Sequence, residues 1–231
     1  MSAASVSAPF AAPAAVLFDL DGTLVNSEPI NVESVVLAVR RHGRELGPEE
    51  RHFVIGHSWN EIHALIVRRC GLDVSMDTLV AEAVEEKRVL VARSGLPVLP
   101  GAVQAVRRLQ QRAPMAVVSG ASRVEVQDAI AGLGVTDAFA FLLGAEDYQR
   151  GKPDPEPYLM AIERFGVPAA RCLVIEDATP GILSARAAGT RVIAVRAGNY
   201  AGYDLSAAHV VVDTLDDVTD RLIADLLARP L

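Results

Sequence analysis

Short apolar runs alternate with amphipathic helical patterns over most of this 231-residue chain. Apolar runs that end at polar turn residues are typical of strands buried on both faces. The segments between them place apolar residues at helical spacing, which indicates helices packed on one side. Because strands that alternate with helices form parallel sheets, the sequence predicts an α/β fold with a doubly wound parallel sheet. The runs after residue 95 that we expect to be strands are 115–118, 138–143, 172–175, 191–195 and 209–212.

The first apolar run, residues 15–18, ends in two aspartates, Asp19 and Asp21, and then in a glycine and Thr23. Alternate residues of a strand point the same way, so both aspartates project beyond its carboxyl end. Ligands of open α/β sheets bind at that end. Two neighbouring carboxylates repel each other, and a divalent cation commonly relieves the repulsion. The alternative interpretation is an ordinary Asp-Gly turn that ends a strand.

Three other polar features follow predicted strands or lie in loops between them. Ser119 and Gly120 close one strand and open a helix, where a hydroxyl and free backbone N–H groups can face an anion. Lys152 lies in a loop, and the pair Glu176-Asp177 follows another apolar run. Each feature alone is more often structural. Together they supply oxygen ligands for Mg²⁺, a phosphate site, a cation and a nucleophile.

A helical block separates the first predicted strand from the alternating part of the chain. Three amphipathic patterns, with Val36, Ile62 and Leu79 on their apolar faces, follow one another before residue 95. We therefore expect an all-helical cap domain at 30–94, inserted into a core made of 14–29 and 95–231. Residues 1–13 lack the basic and apolar regions of a signal peptide, which predicts a disordered tail.

Composition restricts the partners and the compartment. The formal net charge of −7 argues against binding of nucleic acid, and no run is long and apolar enough to span a bilayer. The two cysteines, Cys70 and Cys172, are far apart in sequence, which is typical of a reduced cytoplasmic protein. We expect a monomer or a weak homodimer whose partner is a small metabolite.

The motifs, in their order along the chain, resemble those of the haloacid dehalogenase-like (HAD) hydrolase superfamily. The resemblance covers essentially the whole chain from about Ala14, and it is greatest to members with a helical cap, such as phosphoglycolate phosphatase, sugar-phosphate phosphatases and β-phosphoglucomutase. The residues that carry it are Asp19-Leu20-Asp21-Gly22-Thr23, Ser119, Lys152-Pro153 and Glu176-Asp177.

The resemblance implies a catalytic and metal-binding set. Asp19 would attack phosphorus to give an aspartyl-phosphate, and Asp21 would act first as general acid and then as general base. Mg²⁺ would be held by Asp19, by the backbone carbonyl of Asp21 and by Asp177, with Glu176 coordinating directly or through water. Haloacid dehalogenases lack the second aspartate because a halide leaves without a proton, so Asp21 favours phosphoryl transfer.

The resemblance also implies a phosphate-binding set. Lys152 would neutralise the Asp19 carboxylate and the phosphoryl oxygens, while Ser119 and the Gly120 N–H would bind other phosphoryl oxygens. Thr23 would support the first loop of the phosphate site. The function predicted from these roles is a Mg²⁺-dependent phosphatase for a sugar or sugar-acid phosphate. A sugar phosphomutase and, in a different class, a non-catalytic binding module remain alternatives.

The cap loop Gly56-His57-Ser58-Trp59 is expected to contribute to substrate choice. Sequences similar to β-phosphoglucomutase carry an arginine where Trp59 stands and a histidine where Asn31 stands, so both differences favour a phosphatase. By position in this loop, His57 and Ser58 are predicted substrate contacts. The helical spacing of Trp59 with Ile62 and Ile66 predicts instead that Trp59 is buried in the cap.

Overall fold

The sheet is parallel throughout in a computed structural model of the chain, which describes residues 12–230. Six strands occur in the order β3-β2-β1-β4-β5-β6, and every neighbouring pair is parallel. The chain therefore winds outward from β1 in both directions, and the order reverses between β1 and β4. This confirms the predicted doubly wound sheet. The strands are Ala15–Phe18 (β1), Met115–Val118 (β2), Phe141–Leu143 (β3), Cys172–Glu176 (β4), Arg191–Val195 (β5) and Val210–Val212 (β6).

Helices cover both faces of the sheet, as its sequence predicts. The side chains of Val16 and Phe18 pack on one face with α5, α6 and α9, while Ala15 and Leu17 pack on the other with α7 and α8. Burial on both faces explains why the strands are continuous apolar runs. These helices are Ala102–Leu109 (α5), Arg123–Gly132 (α6), Glu156–Phe165 (α7), Thr179–Ala187 (α8) and Asp220–Ala228 (α9).

The segment between β1 and α5 forms the predicted helical cap. Its helices are Glu28–Arg41 (α1), Pro48–Val54 (α2), Trp59–Cys70 (α3) and Met76–Ser94 (α4). They share an apolar cluster of their own, with Val36, Ile66 and Leu79 at its centre. The sequence indicated three of these helices but not α2, which has seven residues and buries Val54 alone. The boundaries 14–29, 30–94 and 95–231 stay a prediction, and α1 itself begins at Glu28.

Three element boundaries differ from those predicted. The strand expected at 138–143 is shorter, because Thr136–Ala138 forms a 3₁₀ turn before β3. The last strand starts at Val210 rather than at residue 209. The strand expected at 172–175 is one residue longer and ends at Glu176.

Residues 1–11 of the predicted tail lie outside the described part of the chain. Within residues 12–230, no helix combines the length and apolar character that crossing a membrane requires. The cysteines Cys70 and Cys172 are both free thiols. The predicted cytoplasmic location stays a prediction.

Candidate active site

Three carboxylates converge where β1 and β4 end. Asp19 follows β1 directly, and Glu176 and Asp177 lie at the end of β4, its hydrogen-bonded neighbour in the sheet. Each offers a carboxylate oxygen within 4.8 Å of the other two, and all three residues are buried. Phe18 of β1 pairs with Ile175 of β4, so the residues that follow them, Asp19 and Glu176, lie side by side although they are far apart in sequence. Hard oxygen donors at such distances suit Mg²⁺ or another divalent cation.

Lys152 joins two of these carboxylates. Its Nζ lies 2.6 Å from Asp19 Oδ1 and 2.7 Å from Glu176 Oε1, and it also donates to the Val118 carbonyl oxygen at 3.0 Å. The ammonium lies 5.0 Å from the centre of the Tyr158 ring. The loop position predicted for this lysine thus brings one buried cation between two buried anions.

Glu176 is fixed by donors on both of its oxygens. Oε1 accepts from Lys152 and from the Tyr158 hydroxyl, at 2.8 Å for the tyrosine, and Oε2 accepts from the Asp177 N–H at 3.1 Å. Gly181 of α8 leaves the space this carboxylate needs, since a Cβ there would lie 1.7 Å from Oε1. Glu176 is therefore oriented toward Lys152 by its neighbours.

Asp177 is held by the loop that follows β1. The Thr23 hydroxyl donates to Asp177 Oδ1 at 3.1 Å, and both residues are buried. Gly22 has φ +85°, and a Cβ at this position would lie 2.1 Å from Asp177 Oδ2. Thr23 was expected among the phosphate-binding residues, but its buried hydroxyl already donates to Asp177. Its contact in the structure matches the supporting role that the resemblance implied.

Asp21 and the Ser119-Gly120 turn face each other across the carboxyl ends of β1 and β2. The Ser119 hydroxyl lies 3.5 Å from Asp21 Oδ2 and accepts from the Ala121 N–H at 3.1 Å. Gly120 is exposed, and Asp21 is less buried than Asp19. The sequence-predicted residues of the core motifs are thus brought together at one edge of the sheet.

Burial and like charge shift the acid–base properties of the cluster. Burial raises the pKa of Asp19 to about 8, with the Glu176 charge adding to the rise and Lys152 opposing it. Burial and the charges of Asp19 and Glu176 hold the pKa of Asp177 well above its usual range. Burial lowers the pKa of Lys152, but the two carboxylates outweigh it and raise that pKa well above its usual value. Full ionisation of the three acids would leave an excess of negative charge against one ammonium, and a divalent cation would offset that excess.

A cleft of about 580 Å³ lies between the cap and the core. Its lining includes His57, Ser58 and Trp59 from the cap loop that the sequence singled out. His57 is exposed and stacks on Phe53 with ring centres 3.7 Å apart. Trp59 is half-buried, and it both packs on the apolar cluster of the cap and lines the cleft. The burial predicted from helical spacing therefore holds for the part of Trp59 that packs in the cap, while the rest of its side chain lines the cleft.

Ser58, which lines the cleft, has a capping role in the structure. Its hydroxyl donates to Glu61 Oε2 at 2.7 Å and accepts from the Glu61 N–H at 3.4 Å, which caps the start of α3. The residue is exposed and its oxygen keeps one lone pair, so the substrate contact expected for Ser58 stays a prediction. The spacing of a serine and a glutamate three residues later was the sequence signal for this capping box.

The lining residues of the cleft that were not found from the sequence include three charged residues and a tyrosine. Glu28 and Lys87 lie on cap helices, Glu125 on α6 and Tyr203 in the loop after β5. Lys87 Nζ lies 2.8 Å from Glu125 Oε1 and so links cap to core. Burial raises the pKa of Glu28, and the Asp21 charge adds to the effect. Only the tertiary structure brings these charges together, although Glu28 follows the first motif within seven residues of Asp21.

A profile of the haloacid dehalogenase-like hydrolases matches residues 13–189. Hexitol phosphatase A of Escherichia coli (strain K12) is 36% identical over 198 residues, which cover 78% of this chain and 82% of that protein. The bifunctional riboflavin kinase/FMN phosphatase of Arabidopsis thaliana is 30% identical over 205 residues, 88% of this chain but 54% of that protein's length. A crystal structure described as a predicted phosphoglycolate phosphatase from Haemophilus somnus has the same fold, with a TM-score of 0.78 and 22% identity over 92% of this chain and 97% of that one.

Fold and site together define a capped α/β enzyme with a buried carboxylate centre. The chain belongs to the haloacid dehalogenase-like hydrolase family. The chain is thus a hydrolase by family, and relatives that share most of its length, such as hexitol phosphatase A, are named phosphatases. The resemblance of the four motifs is thereby confirmed, while the role of each motif residue stays a prediction.

Proposed function

We propose that this enzyme is a Mg²⁺-dependent phosphatase that hydrolyses a sugar or sugar-acid phosphate monoester through an aspartyl-phosphate on Asp19. The observation that carries the proposal is the ion pair of Lys152 with Asp19 and Glu176, beside Asp177, at the carboxyl end of β1. This arrangement provides a nucleophile and a positive charge for a transferring phosphoryl group. Positioning and charge stabilisation supply most of the catalysis of such reactions.

The donors suited to Mg²⁺ are the carboxylates of Asp19 and Asp177 and the backbone carbonyl of Asp21. Glu176 is the weaker candidate for direct coordination, because both of its oxygens already accept hydrogen bonds. We assign it the task of orienting Lys152, with any contribution to the metal through water. When bound, the cation would offset the charge on the carboxylates and on the phosphoryl oxygens.

Lys152 prepares Asp19 for attack. Its ammonium holds Oδ1 at 2.6 Å, which fixes the carboxylate and reduces repulsion between two anions. The other oxygen of Asp19 then attacks phosphorus, the bond to the leaving oxygen breaks, and the phosphoryl group is carried on Asp19. We assign the binding of other phosphoryl oxygens to the Ser119 hydroxyl and the Gly120 N–H, which follow β2.

Asp21 supplies the proton that the leaving group needs. It lies two residues beyond the nucleophile and is less buried than Asp19. A protonated Asp21 gives its proton to the leaving alkoxide, and the resulting carboxylate takes a proton from the water that hydrolyses the aspartyl-phosphate. The 3.5 Å separation from the Ser119 hydroxyl leaves this side chain only weakly tied in the absence of substrate.

The substrate part of the proposal is supported by the similarity to hexitol phosphatase A. A phosphomutase is less well supported, because Trp59 and Asn31 replace the arginine and histidine typical of that activity. A binding module without turnover is disfavoured by the complete set of acids.

The test is hydrolysis of p-nitrophenyl phosphate with Mg²⁺ and with EDTA, followed by a panel of phosphorylated metabolites ranked by kcat/KM. We expect Mg²⁺-dependent phosphate release that EDTA abolishes. Absence of turnover on every monoester would favour the binding module. With β-glucose 1-phosphate, formation of glucose 6-phosphate faster than free phosphate would establish the mutase instead.

A further inference from the structure

The cleft between the cap and the core contains a carboxylate that the proposed chemistry does not use. Glu28, the first residue of α1, lines both the large cleft and a small cavity of about 30 Å³ beside Asp21 and Asp177. Glu28 is half-buried, and within residues 12–230 its side chain has no hydrogen-bond partner. A partly desolvated acceptor facing a ligand cleft is most favourable when a ligand donates to it.

The charges around Glu28 determine which ligands are suitable. Among the described lining residues, Lys87 is the only lysine or arginine, and its ammonium is paired with Glu125 at 2.8 Å. The pair is close to neutral as a unit, so Glu28 leaves the cleft with excess negative charge. A second anionic group on a substrate would meet this carboxylate without a free cation to offset it.

The residues that line the cavities beside Glu28 include polar side chains able to form hydrogen bonds with the hydroxyl groups of a substrate. Tyr203 lines the same two cavities, and Asn31 and Ser34 line the large one. The loop that carries Tyr203 is fixed by Asn199, which accepts from the Tyr203 N–H at 2.7 Å and donates to its carbonyl oxygen at 2.8 Å. The hydroxyl of Tyr203 lies 3.6 Å from where a Cβ on Gly56 would be, so core and cap loops meet here. Hydroxyl donors reaching Glu28 would form charge-assisted hydrogen bonds.

We infer that Glu28 selects a neutral, polyhydroxylated leaving group, as in a sugar or hexitol monophosphate, and rejects substrates that carry a second anion. The inference rests on the proposed function and narrows it, since it excludes sugar acids and bisphosphates. The Glu28 carboxylate would have both effects on substrate choice. It would accept hydrogen bonds from the hydroxyl groups of a neutral substrate, and it would repel a carboxylate or a second phosphate.

The test compares sorbitol 6-phosphate with 2-phosphoglycolate in three proteins. These are the wild type, Glu28→Gln and the matched control Glu33→Gln, which makes the same charge change on α1 away from the cleft lining. In Glu28→Gln, kcat/KM for sorbitol 6-phosphate should fall about 10-fold, mainly through KM, because a charge-assisted hydrogen bond becomes a neutral one. The same variant should improve kcat/KM for 2-phosphoglycolate several-fold. Glu33→Gln should leave both values unchanged.

A binding measurement separates this inference from the proposed function. Calorimetry with Mg²⁺ and the Asp19→Asn variant reports affinity without turnover. We expect sorbitol 6-phosphate to bind about 10-fold more tightly than 2-phosphoglycolate, and added Glu28→Gln to remove the difference. Tighter binding of 2-phosphoglycolate, an unchanged ratio in the double variant, or binding of neither compound would overturn the inference. If the wild-type protein did not hydrolyse p-nitrophenyl phosphate or any other monoester, that result would instead contradict the proposed function.

Discussion

Tyr158 shows how one buried hydroxyl can tie the core to the catalytic centre. The residue lies on the apolar face of α7, fully buried among side chains of the sheet, and its hydroxyl donates to Glu176 Oε1 at 2.8 Å. The same oxygen accepts from Lys152. A phenylalanine would fill the core equally well, so the hydroxyl is explained by the carboxylate it reaches.

Tyr158→Phe should therefore lower the free energy of unfolding by about 1–3 kcal/mol, because a buried charged acceptor loses one of its donors. Lys152 remains as a donor to the same oxygen, which keeps the loss within that range. Urea unfolding of the variant and the wild type measures the difference. An unchanged free energy of unfolding would show that the Glu176 carboxylate does not depend on this hydroxyl.

The affinity for Mg²⁺ should depend on the Asp177 carboxylate and on the hydroxyl that orients it. Asp177→Asn removes a proposed Mg²⁺ ligand and should weaken Mg²⁺ binding strongly, while Thr23→Val removes only the donor that orients Asp177 and should weaken it about 10-fold. Asp128→Asn, an exposed change on α6, is the control. Calorimetric titration with Mg²⁺ gives the three affinities. Wild-type affinity in Asp177→Asn would remove this residue from the metal site.

At the scale of elements, two close approaches allow the carboxylates to converge. The loop after β1 passes Asp177 at Gly22, and α8 passes Glu176 at Gly181. Gly198, in the loop after β5, approaches the first loop so closely that a Cβ would lie 1.7 Å from the Gly22 carbonyl oxygen. Glycine at these places therefore serves the packing of loop and helix against the ends of the strands.

Gly181→Ala should destabilise the protein, although replacing glycine by alanine in a helix usually stabilises it. Alanine in a helix is normally more stable than glycine by about 0.5–1 kcal/mol, but here its Cβ would lie 1.7 Å from Glu176 Oε1. We expect a lower melting temperature and reduced kcat. Gly132→Ala, at the last residue of α6, meets nothing within 4 Å and should stabilise the protein. Equal stabilisation by both changes, measured by thermal unfolding, would contradict the packing of α8 on Glu176.

At the scale of the whole molecule, the sequence predicted the sheet because its strands are buried on both faces. Every residue of the strands at 115–118 and 191–195 is buried, and both strands have the predicted bounds. The helix α2 escaped prediction because it buries one side chain and so has no apolar periodicity. Its stability comes from contacts that only the folded cap provides.

Prediction of the site had a similar limit. Residues that follow strands, such as Asp19 and Glu176, could be placed at one edge of the sheet from the pattern alone. The orientation of Glu176 toward Lys152 depends on Tyr158 and Gly181, which are ordinary core positions in the sequence. Glu28 lines the cleft together with residues of α4, α6 and the loop after β5, which meet only in the folded chain, and no local pattern indicates that.

The buried acids also predict how stability depends on pH. The pKa of Asp19 is raised from 3.8 to about 8 in the metal-free protein, so between these values the folded state binds more protons than the unfolded state. The free energy of unfolding should therefore decrease as pH rises from about 4 to about 8, and the raised pKa of Asp177 acts in the same direction. The raised pKa of Lys152 contributes stability that is fully present below 10.5 and constant over this range.

Mg²⁺ should reverse this loss, because it binds the deprotonated carboxylates. The rise in melting temperature on adding Mg²⁺ should be larger at pH 8 than at pH 5, where protons compete for Asp19 and Asp177. Thermal unfolding with and without Mg²⁺ at both values measures it. A Mg²⁺ effect that is equal at the two pH values would contradict binding at these acids.

The central claim is that Asp19 is the nucleophile, and phosphate release by Asp19→Asn tests it most directly. The amide is nearly isosteric with the carboxylate but cannot attack phosphorus, so kcat on the best sugar phosphate should fall by more than about 10⁴-fold. Circular dichroism of the variant checks that the fold is retained, and Asp128→Asn serves as the control with an equal change of charge. We predict no measurable aspartyl-phosphate and no turnover in Asp19→Asn; a kcat above about 1% of the wild-type value would contradict the account.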